Sequence, residues 1–298
     1  MDKLQAMTTF VRIVDKGSLT AAADALGTSL PSVVRTLAGL EKEVGVRLLN
    51  RTTRRIHLTD EGAQYLDRCR AILQAVGEAD ALLSASRPEP QGRLAVTASS
   101  LFGRRYVVPV VSDFIRRFPG ISVELMLLDR VVGLVEEGMD VGIRIGHLAD
   151  SSLIAIPVGK TRRVTCASPA YLRESGLPKS PEDLRQHRCV RFESIAASQD
   201  WTYLRGRKKV PVRVANVVST NQVDAAVDFC VKGLGIGMFL SYQVAAQVAQ
   251  GSLRYVLAAV EPEPLPVHVV YPHSRLQSPR VRKFVDACVA QLRAITFE

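Results

Sequence analysis

The chain has 298 residues, a length that fits two or three domains better than one. Hydrophobic residues make up 47% of it, which excludes a disordered protein, and no apolar run approaches the roughly 18 residues that a membrane helix needs. The net charge of +10 favours an anionic partner, either nucleic acid or an acidic metabolite. The first residues lack a basic segment followed by an apolar core, so we expect no signal peptide, no membrane partner and a cytoplasmic location.

Three regions follow one another along the chain. Residues 1–58 contain three short helical patterns and then a basic, β-branched stretch. Residues 59–92 contain one long helical pattern, which ends in a segment rich in proline and glycine. Residues 93–298 alternate short β-rich runs with helical patterns, which is typical of an α/β fold.

The first region predicts a helix-turn-helix. Apolar residues at helical spacing indicate helices over about residues 3–15 and 19–26, with Gly27 at the turn before a third helix that Ser29 can cap. One side of the third helix is apolar, and the opposite side consists of Pro31, Ser32, Arg35, Ala38, Gly39 and Lys42. Small and cationic residues on an outer face can approach a DNA groove closely.

The stretch after the third helix predicts a two-stranded wing. It covers residues 46–59 and places Arg51, Arg54 and Arg55 near its tip. Arginines on a narrow ribbon suit phosphates or the minor groove. One arginine alone would be an ordinary solvated charge, but a cluster directly after this helix pair favours DNA.

The long helix predicts an oligomer. Thr59 can cap it, and its apolar residues follow a 4-3-4-3-4 spacing: Tyr65, Cys69, Ile72, Val76, Ala79 and Leu83. Such a seam needs a second helix, which another copy of the chain would supply. The alternative is packing on the C-terminal domain of the same chain. We favour the homodimer, because two-fold dimers read symmetric DNA sites.

Four segments carry a resemblance to a known family: Ala21–Gly27, Arg35 with Leu40 and Glu41, Val44–Arg55, and Leu58–Gly62. They resemble the LysR-type transcriptional regulators, and the resemblance covers essentially the whole chain. It implies a winged helix-turn-helix, a dimerising linker helix and a two-lobed α/β effector domain similar to periplasmic binding proteins. It also implies a tetramer that binds interrupted inverted repeats near promoters, and RNA polymerase is a further candidate partner.

The resemblance places Leu30, Pro31, Val34 and Arg35 at base-contacting positions, and Arg51 and Arg54 in the wing. Leu30 and Val34 depart from the family, which often has a polar residue at the first position and usually serine at the second. Apolar contact with thymine methyl groups would replace those hydrogen bonds. The predicted DNA interface comprises Ser29, Leu30, Pro31, Ser32, Val34, Arg35, Thr36, Arg51, Thr53, Arg54 and Arg55.

The C-terminal region predicts a ligand cleft between lobe I, about residues 93–162 with 268–298, and lobe II, about residues 163–267. A β-like run ends in two serines before a helix, and the arrangement recurs near residue 219. Family effectors commonly contact the first of these turns. The predicted effector site comprises Ser99, Ser100, Leu101, Arg144, Gly146, Ser219 and Thr220. The serines could equally be plain helix caps, and the arginine could form a surface salt bridge; as an effector ligand it would bind a carboxylate.

Catalytic and metal motifs are absent from the sequence. The five cysteines form no CxxC pair, the histidines form no HExxH, and there is no GxSxG. Gly159-Lys160-Thr161 lacks the first glycine of a P-loop, since that position is Ile154. We therefore predict a regulator that binds DNA and a small-molecule effector, with no catalytic residue, metal or cofactor. The alternatives are a DNA-binding regulator without an effector, a cytoplasmic small-molecule-binding protein, and an enzyme that uses the α/β cleft.

Overall fold

The structure is a computed structural model, and it describes residues 2–51, 56–83, 89–130, 132–148, 153–193, 200–273, 275 and 278–297. The chain divides into two units, Met1–Pro88 and Glu89–Glu298. Among the described residues, no helix is long and apolar enough to cross a membrane.

The first unit is a winged helix-turn-helix followed by a long helix. Its elements in chain order are α1 (Lys3–Lys16), α2 (Leu19–Leu26), α3 (Leu30–Val44), β1 (Leu49–Arg51), β2 (Ile56–Leu58) and α4 (Asp60–Leu83). The side chains of Asp2, Ser18 and Ser29 accept hydrogen bonds from the first-turn amides of α1, α2 and α3. The predicted ends of the first two helices agree with these elements to within one residue.

Glu41 joins the wing to the helix-turn-helix. Its Oε1 accepts hydrogen bonds from the backbone N–H groups of Leu48 at 2.9 Å and Leu49 at 3.2 Å, and both leucines are buried. Gly62 of α4 lies so close to this corner that a Cβ there would approach the Leu48 carbonyl oxygen to 2.0 Å. The start of β1 is therefore fixed between α3 and α4.

The second unit contains two five-stranded sheets of similar design. The first has the order β4-β3-β5-β14-β6, in which β4, β3 and β5 are parallel and β14 is antiparallel to its neighbours. Its strands are β3 (Gly92–Ala98), β4 (Ile121–Leu127), β5 (Val141–Ile145), β6 (Leu153–Thr161) and β14 (Leu265–Pro272). Its core contacts three helical segments: α5 (Ser100–Phe102), which continues through a π-helical turn (Gly103–Val107), α6 (Val108–Arg117) and α10 (Pro279–Arg293).

The second sheet has the order β11-β8-β12-β7-β13. Its strands are β7 (Arg163–Ala167), β8 (Arg188–Phe192), β11 (Ala215–Thr220), β12 (Ile236–Leu240) and β13 (Arg254–Val256). Helices α8 (Val223–Val231) and α9 (Ser241–Ala249) pack on one part of its core. Helix α7 (Pro169–Ser175) and an antiparallel hairpin, β9 (Asp200–Arg205) with β10 (Lys208–Arg213), pack on another.

The chain passes between the two sheets at two adjacent points. Arg162 lies between β6 and β7, and Glu261 lies on the return to β14; the two side chains form two hydrogen bonds of 3.0 Å each. The buried hydroxyl of Ser241 donates to the Phe297 carbonyl and accepts from the Arg162 backbone N–H. Both crossings are thus tied to each other and to the C-terminal segment.

We predict that Glu41→Ala destabilises the first unit by about 1 to 3 kcal/mol, because two backbone N–H groups lose their acceptor. Amide hydrogen exchange at Leu48 and Leu49, together with thermal unfolding of the full chain, measures the effect. Glu43→Ala is the matched control, since Glu43 pairs with the exposed Lys3 and should change little. Equal effects of the two substitutions would contradict this role of Glu41.

The cysteines generate a second prediction. All five are buried, and burial raises the pKa of Cys166 and of Cys189 to about 12. These thiols stay protonated at mildly alkaline pH, so we expect the folded chain to react with a disulfide reagent at least about tenfold more slowly than the unfolded chain. Ser175→Cys, at an exposed position, is the control for reagent access. Rapid modification of a native cysteine in the folded protein would refute the prediction.

Candidate functional site

The outer face of α3 presents an exposed surface of mixed character. Leu30, Pro31 and Arg35 are exposed, whereas Val33 and Leu37 on the opposite side are buried in the core of the unit. Ser32, Val34 and Thr36 are partly exposed. Ser29 is exposed and its hydroxyl accepts the Ser32 amide at 3.4 Å, so its observed role is that of a helix cap.

The wing is described only at its base. Arg51 ends β1, and its side chain is outside the description. Thr53, Arg54 and Arg55, which the sequence predicts to contact DNA, lie outside the described residues.

The predicted seam on α4 divides into two parts. Tyr65 and Cys69 pack in the core of their own unit, where the Tyr65 ring lies 6.0 Å from that of Phe10. Cys69 is fully buried there, so the prediction that it forms a dimer contact is wrong, whereas Tyr65 is only partly buried and its dimer contact stays a prediction. Ile72 and Val76 are exposed, at 41% and 38%. Ala79 and Leu83 belong to α4, but their side chains are outside the description.

A cavity of about 630 Å³ lies in the second unit, between the two sheets. Of the predicted effector residues, Ser99, Arg144 and Gly146 line it, and Ser100, Leu101, Ser219 and Thr220 do not. Strand β11 is at the edge of its sheet, where the Ser219 hydroxyl donates to Glu193 at 2.6 Å. The Thr220 hydroxyl accepts the Gln222 amide at 3.1 Å, and the Ser100 amide donates to Asp129 at 2.9 Å.

Several lining residues were not predicted. Asp129 follows the end of β4, Arg163 begins β7, Trp201 and Lys209 lie on the β9–β10 hairpin, and Tyr242 lies on α9. The end of β4 was a detectable signal, since ligands in α/β sheets gather at the carboxyl ends of strands. Nothing in the sequence pattern places the hairpin against the cavity.

The cavity is rich in charge. Of the described residues that line it, five are cationic and three are carboxylates. Arg130 forms two hydrogen bonds with Glu137, at 2.7 and 2.8 Å, and these lower the pKa of the Glu137 carboxyl. Burial lowers the pKa of Arg144, which donates a hydrogen bond to the Val132 carbonyl. Excess cationic charge in a partly enclosed space favours an anionic occupant.

A hydroxyl cluster lies on the wall that Ser99 and Tyr242 share. Tyr242 is buried, which raises the pKa of its hydroxyl, and the nearby Ser99 and Gln243 side chains oppose the shift. Oδ2 of Asp129 is buried and has no hydrogen-bond partner within the described part of the chain. These groups can orient a polar ligand, but the described residues contain no group of side chains suited to a metal ion.

Two family profiles match the chain. A bacterial regulatory helix-turn-helix protein of the lysR family matches residues 4–63, and a LysR substrate binding domain matches residues 87–293. The first match covers the helix-turn-helix and the wing, and the second covers both five-stranded sheets.

Named relatives extend over nearly the whole chain. An HTH-type transcriptional repressor of Pseudomonas aeruginosa is 40% identical over 288 residues, which cover 96% of this chain and 91% of that protein. The HTH-type transcriptional regulator CrgA of Neisseria meningitidis is 32% identical and covers 97% of this chain and 96% of its own length. These relatives are named as regulators of transcription and not as enzymes.

Solved structures show the same architecture. The structure of CrgA, a LysR-type transcriptional regulator, aligns with a TM-score of 0.61 at 32% identity and covers 97% of this chain and 98% of its own. The full-length Vibrio cholerae virulence activator AphB aligns with a TM-score of 0.61 at 26% identity and covers 96% and 98%. The chain belongs to the LysR family of DNA-binding transcription regulators, in which a winged helix-turn-helix precedes an effector-binding domain.

Proposed function

We propose that this regulator reads an inverted-repeat promoter site through the outer face of α3 and changes its hold on DNA when a small molecule binds the cavity of the second unit. The observation that carries the proposal is the exposed Arg35 face of α3, opposite a fully buried apolar face. That arrangement leaves the helix fixed on its inner side and open on its outer side, as insertion into the major groove requires.

The proposed contacts divide by chemistry. Arg35 has the geometry to donate two hydrogen bonds to a guanine edge, and Leu30 and Val34 offer apolar contacts for thymine methyl groups. Pro31, Ser32 and Thr36 approach the neighbouring backbone, and Ser29 acts as the cap that orders the helix. Arg51, Thr53, Arg54 and Arg55 of the wing contact phosphates or the minor groove, where they add affinity with little base preference.

The proposed assembly is a homodimer through α4, and a pair of dimers forms the tetramer. Ile72 and Val76 support this, because exposed apolar residues at seam spacing lose water when a second helix covers them. Ala79 and Leu83 continue the same spacing. A two-fold dimer matches two half-sites of an inverted repeat.

The proposed effector binds among Ser99, Arg144 and Gly146, which share the cavity, and it carries a carboxylate. Ser100, Leu101, Ser219 and Thr220 are omitted, since they do not line that cavity. Binding shifts the population of lobe arrangements and hence the spacing or bend that the assembly imposes on DNA. A promoter-binding protein of this kind works in the cytoplasm of a bacterium, where RNA polymerase is its natural partner.

The first test is binding to the intergenic DNA beside the gene, followed as a salt titration of the full-length chain. We expect Arg35→Ala to lose its preference for that DNA over random DNA, by about 1 to 3 kcal/mol. The double variant Arg51→Ala/Arg54→Ala should bind all sequences more weakly, with a salt slope shallower by about 0.9 for each lost phosphate contact. Arg12→Ala, at an exposed position on α1, is the control. Sequence preference that survives Arg35→Ala would exclude α3 as the reading element.

The second test concerns the dimer. Ile72→Asp should weaken self-association of the full chain by about tenfold or more, because the interface would bury an unpaired charge. Sedimentation equilibrium measures the dissociation constant. Ala71→Asp makes the same change at an exposed position one residue away, off the seam. If both variants associate like the unchanged protein, α4 is not the interface.

A further inference from the structure

Arg163 is a partly buried cation of the cavity. It begins β7 and lines the cavity, and across the described part of the chain its guanidinium makes no hydrogen bond and no ion pair. Burial lowers the pKa of this guanidinium, with no carboxylate opposing the shift. A partly buried cation without a partner costs folding free energy, and an anion in the cavity would offset that cost.

Other cations of the cavity are already engaged or well hydrated. Arg130 is paired with Glu137, and Arg144 donates to a backbone carbonyl. Lys209 is exposed on its hairpin. Arg163 is therefore well placed to take a ligand carboxylate, whose two oxygens match the fork of a guanidinium.

A carboxylate with incomplete hydrogen bonding lines the same cavity. Asp129 accepts a hydrogen bond from the Ser100 amide through Oδ1 at 2.9 Å, whereas its Oδ2 is buried with no hydrogen-bond partner among the residues that the structure describes. An ionised carboxylate accepts hydrogen bonds and cannot donate them. A ligand that hydrogen-bonds to Oδ2 of Asp129 therefore carries a hydrogen-bond donor, either a hydroxyl or an ammonium group.

Arg163 and Asp129 both line this one cavity. Leu240 of β12, which pairs with Arg163 across the sheet, and Tyr242, two residues later, line the cavity as well. The rest of the lining includes apolar side chains, among them Phe192, Trp201 and Met238. A volume of about 630 Å³ is in the range of small-molecule sites.

We propose that the ligand is a small organic acid with a hydroxyl or ammonium group, bound with its carboxylate on Arg163 and its donor on Asp129. The inference rests on the proposed function in assigning the effector to this cavity. It goes further in naming the anchor and in requiring two functional groups on one molecule. Neutral compounds and acids without a donor are then poor ligands.

The test is calorimetric titration of the full-length protein with a panel of amino acids, aliphatic hydroxy acids and hydroxybenzoates. Each acid is paired with its amide and with the analogue that lacks the donor. We expect at least one acid to bind, and both of its analogues to bind at least about tenfold more weakly. Arg163→Met should weaken binding of the acid by about 10- to 100-fold. Lys209 is a second cation that lines the cavity, and Lys209→Met should have little effect on the binding of the acid.

Two further readouts separate a binding role from a structural one. Arg163→Met should raise the melting temperature of the ligand-free protein, because the variant removes an unpaired charge; a fall would indicate a structural role and contradict the proposal. Asp129→Asn keeps an acceptor for the Ser100 amide but removes the charge. This substitution should therefore weaken the binding of an amino acid more than the binding of a hydroxy acid.

The outcomes distinguish this inference from the proposed function. If no panel acid binds, if the amide binds as well as its acid, or if Arg163→Met leaves acid binding unchanged, the inference is wrong. Promoter binding by the same preparations then shows whether the regulator assignment still holds. If acid binding depends on Arg163 but the protein binds no promoter DNA, the inference about the ligand holds and the proposed regulation of DNA binding is wrong.

Discussion

The ion pair between Arg162 and Glu261 joins the two chain segments that connect the sheets on either side of the cavity. These residues occupy the two crossings between the sheets, and their paired hydrogen bonds hold the crossings side by side. Ser241 adds the C-terminal segment to the same junction through the Phe297 carbonyl. The two sheets that flank the cavity are therefore joined at one junction, where both crossings and the C-terminal segment meet.

In the first unit, a few contacts at one corner join the wing to the helices. One carboxylate, Glu41, accepts the two amides that begin the wing, and Gly62 allows α4 to pass against the same corner. The three helices before it begin at side-chain caps and end at glycines in the left-handed conformation. The outer face of α3 is therefore exposed on a unit that is stabilised by its buried core.

Sequence reasoning was most successful where structure is local. Caps such as Ser18 and left-handed glycines such as Gly27 fix the ends of the first helices, and both are readable from the chain alone. The same reasoning misassigned Cys69, because seam spacing cannot tell a neighbouring helix of the same unit from a partner helix. Of the cavity lining, the sequence predicts Ser99 and Arg144, because both lie at strand ends. It does not predict the order of the strands, which places β11 at the edge of its sheet. Trp201 reaches the cavity only through the three-dimensional fold.

The charge of Arg163, which no described residue compensates, also bears on how much of the protein a cell contains. While the cavity is empty the folded chain carries that cost, so its unfolded fraction is larger than it would be with an anion bound. Quality-control proteases remove unfolded chains, and small changes in folding stability alter abundance several-fold. A ligand that neutralises Arg163 would thus lengthen the lifetime of the regulator, and cells rich in that ligand would hold more of it at the same rate of synthesis.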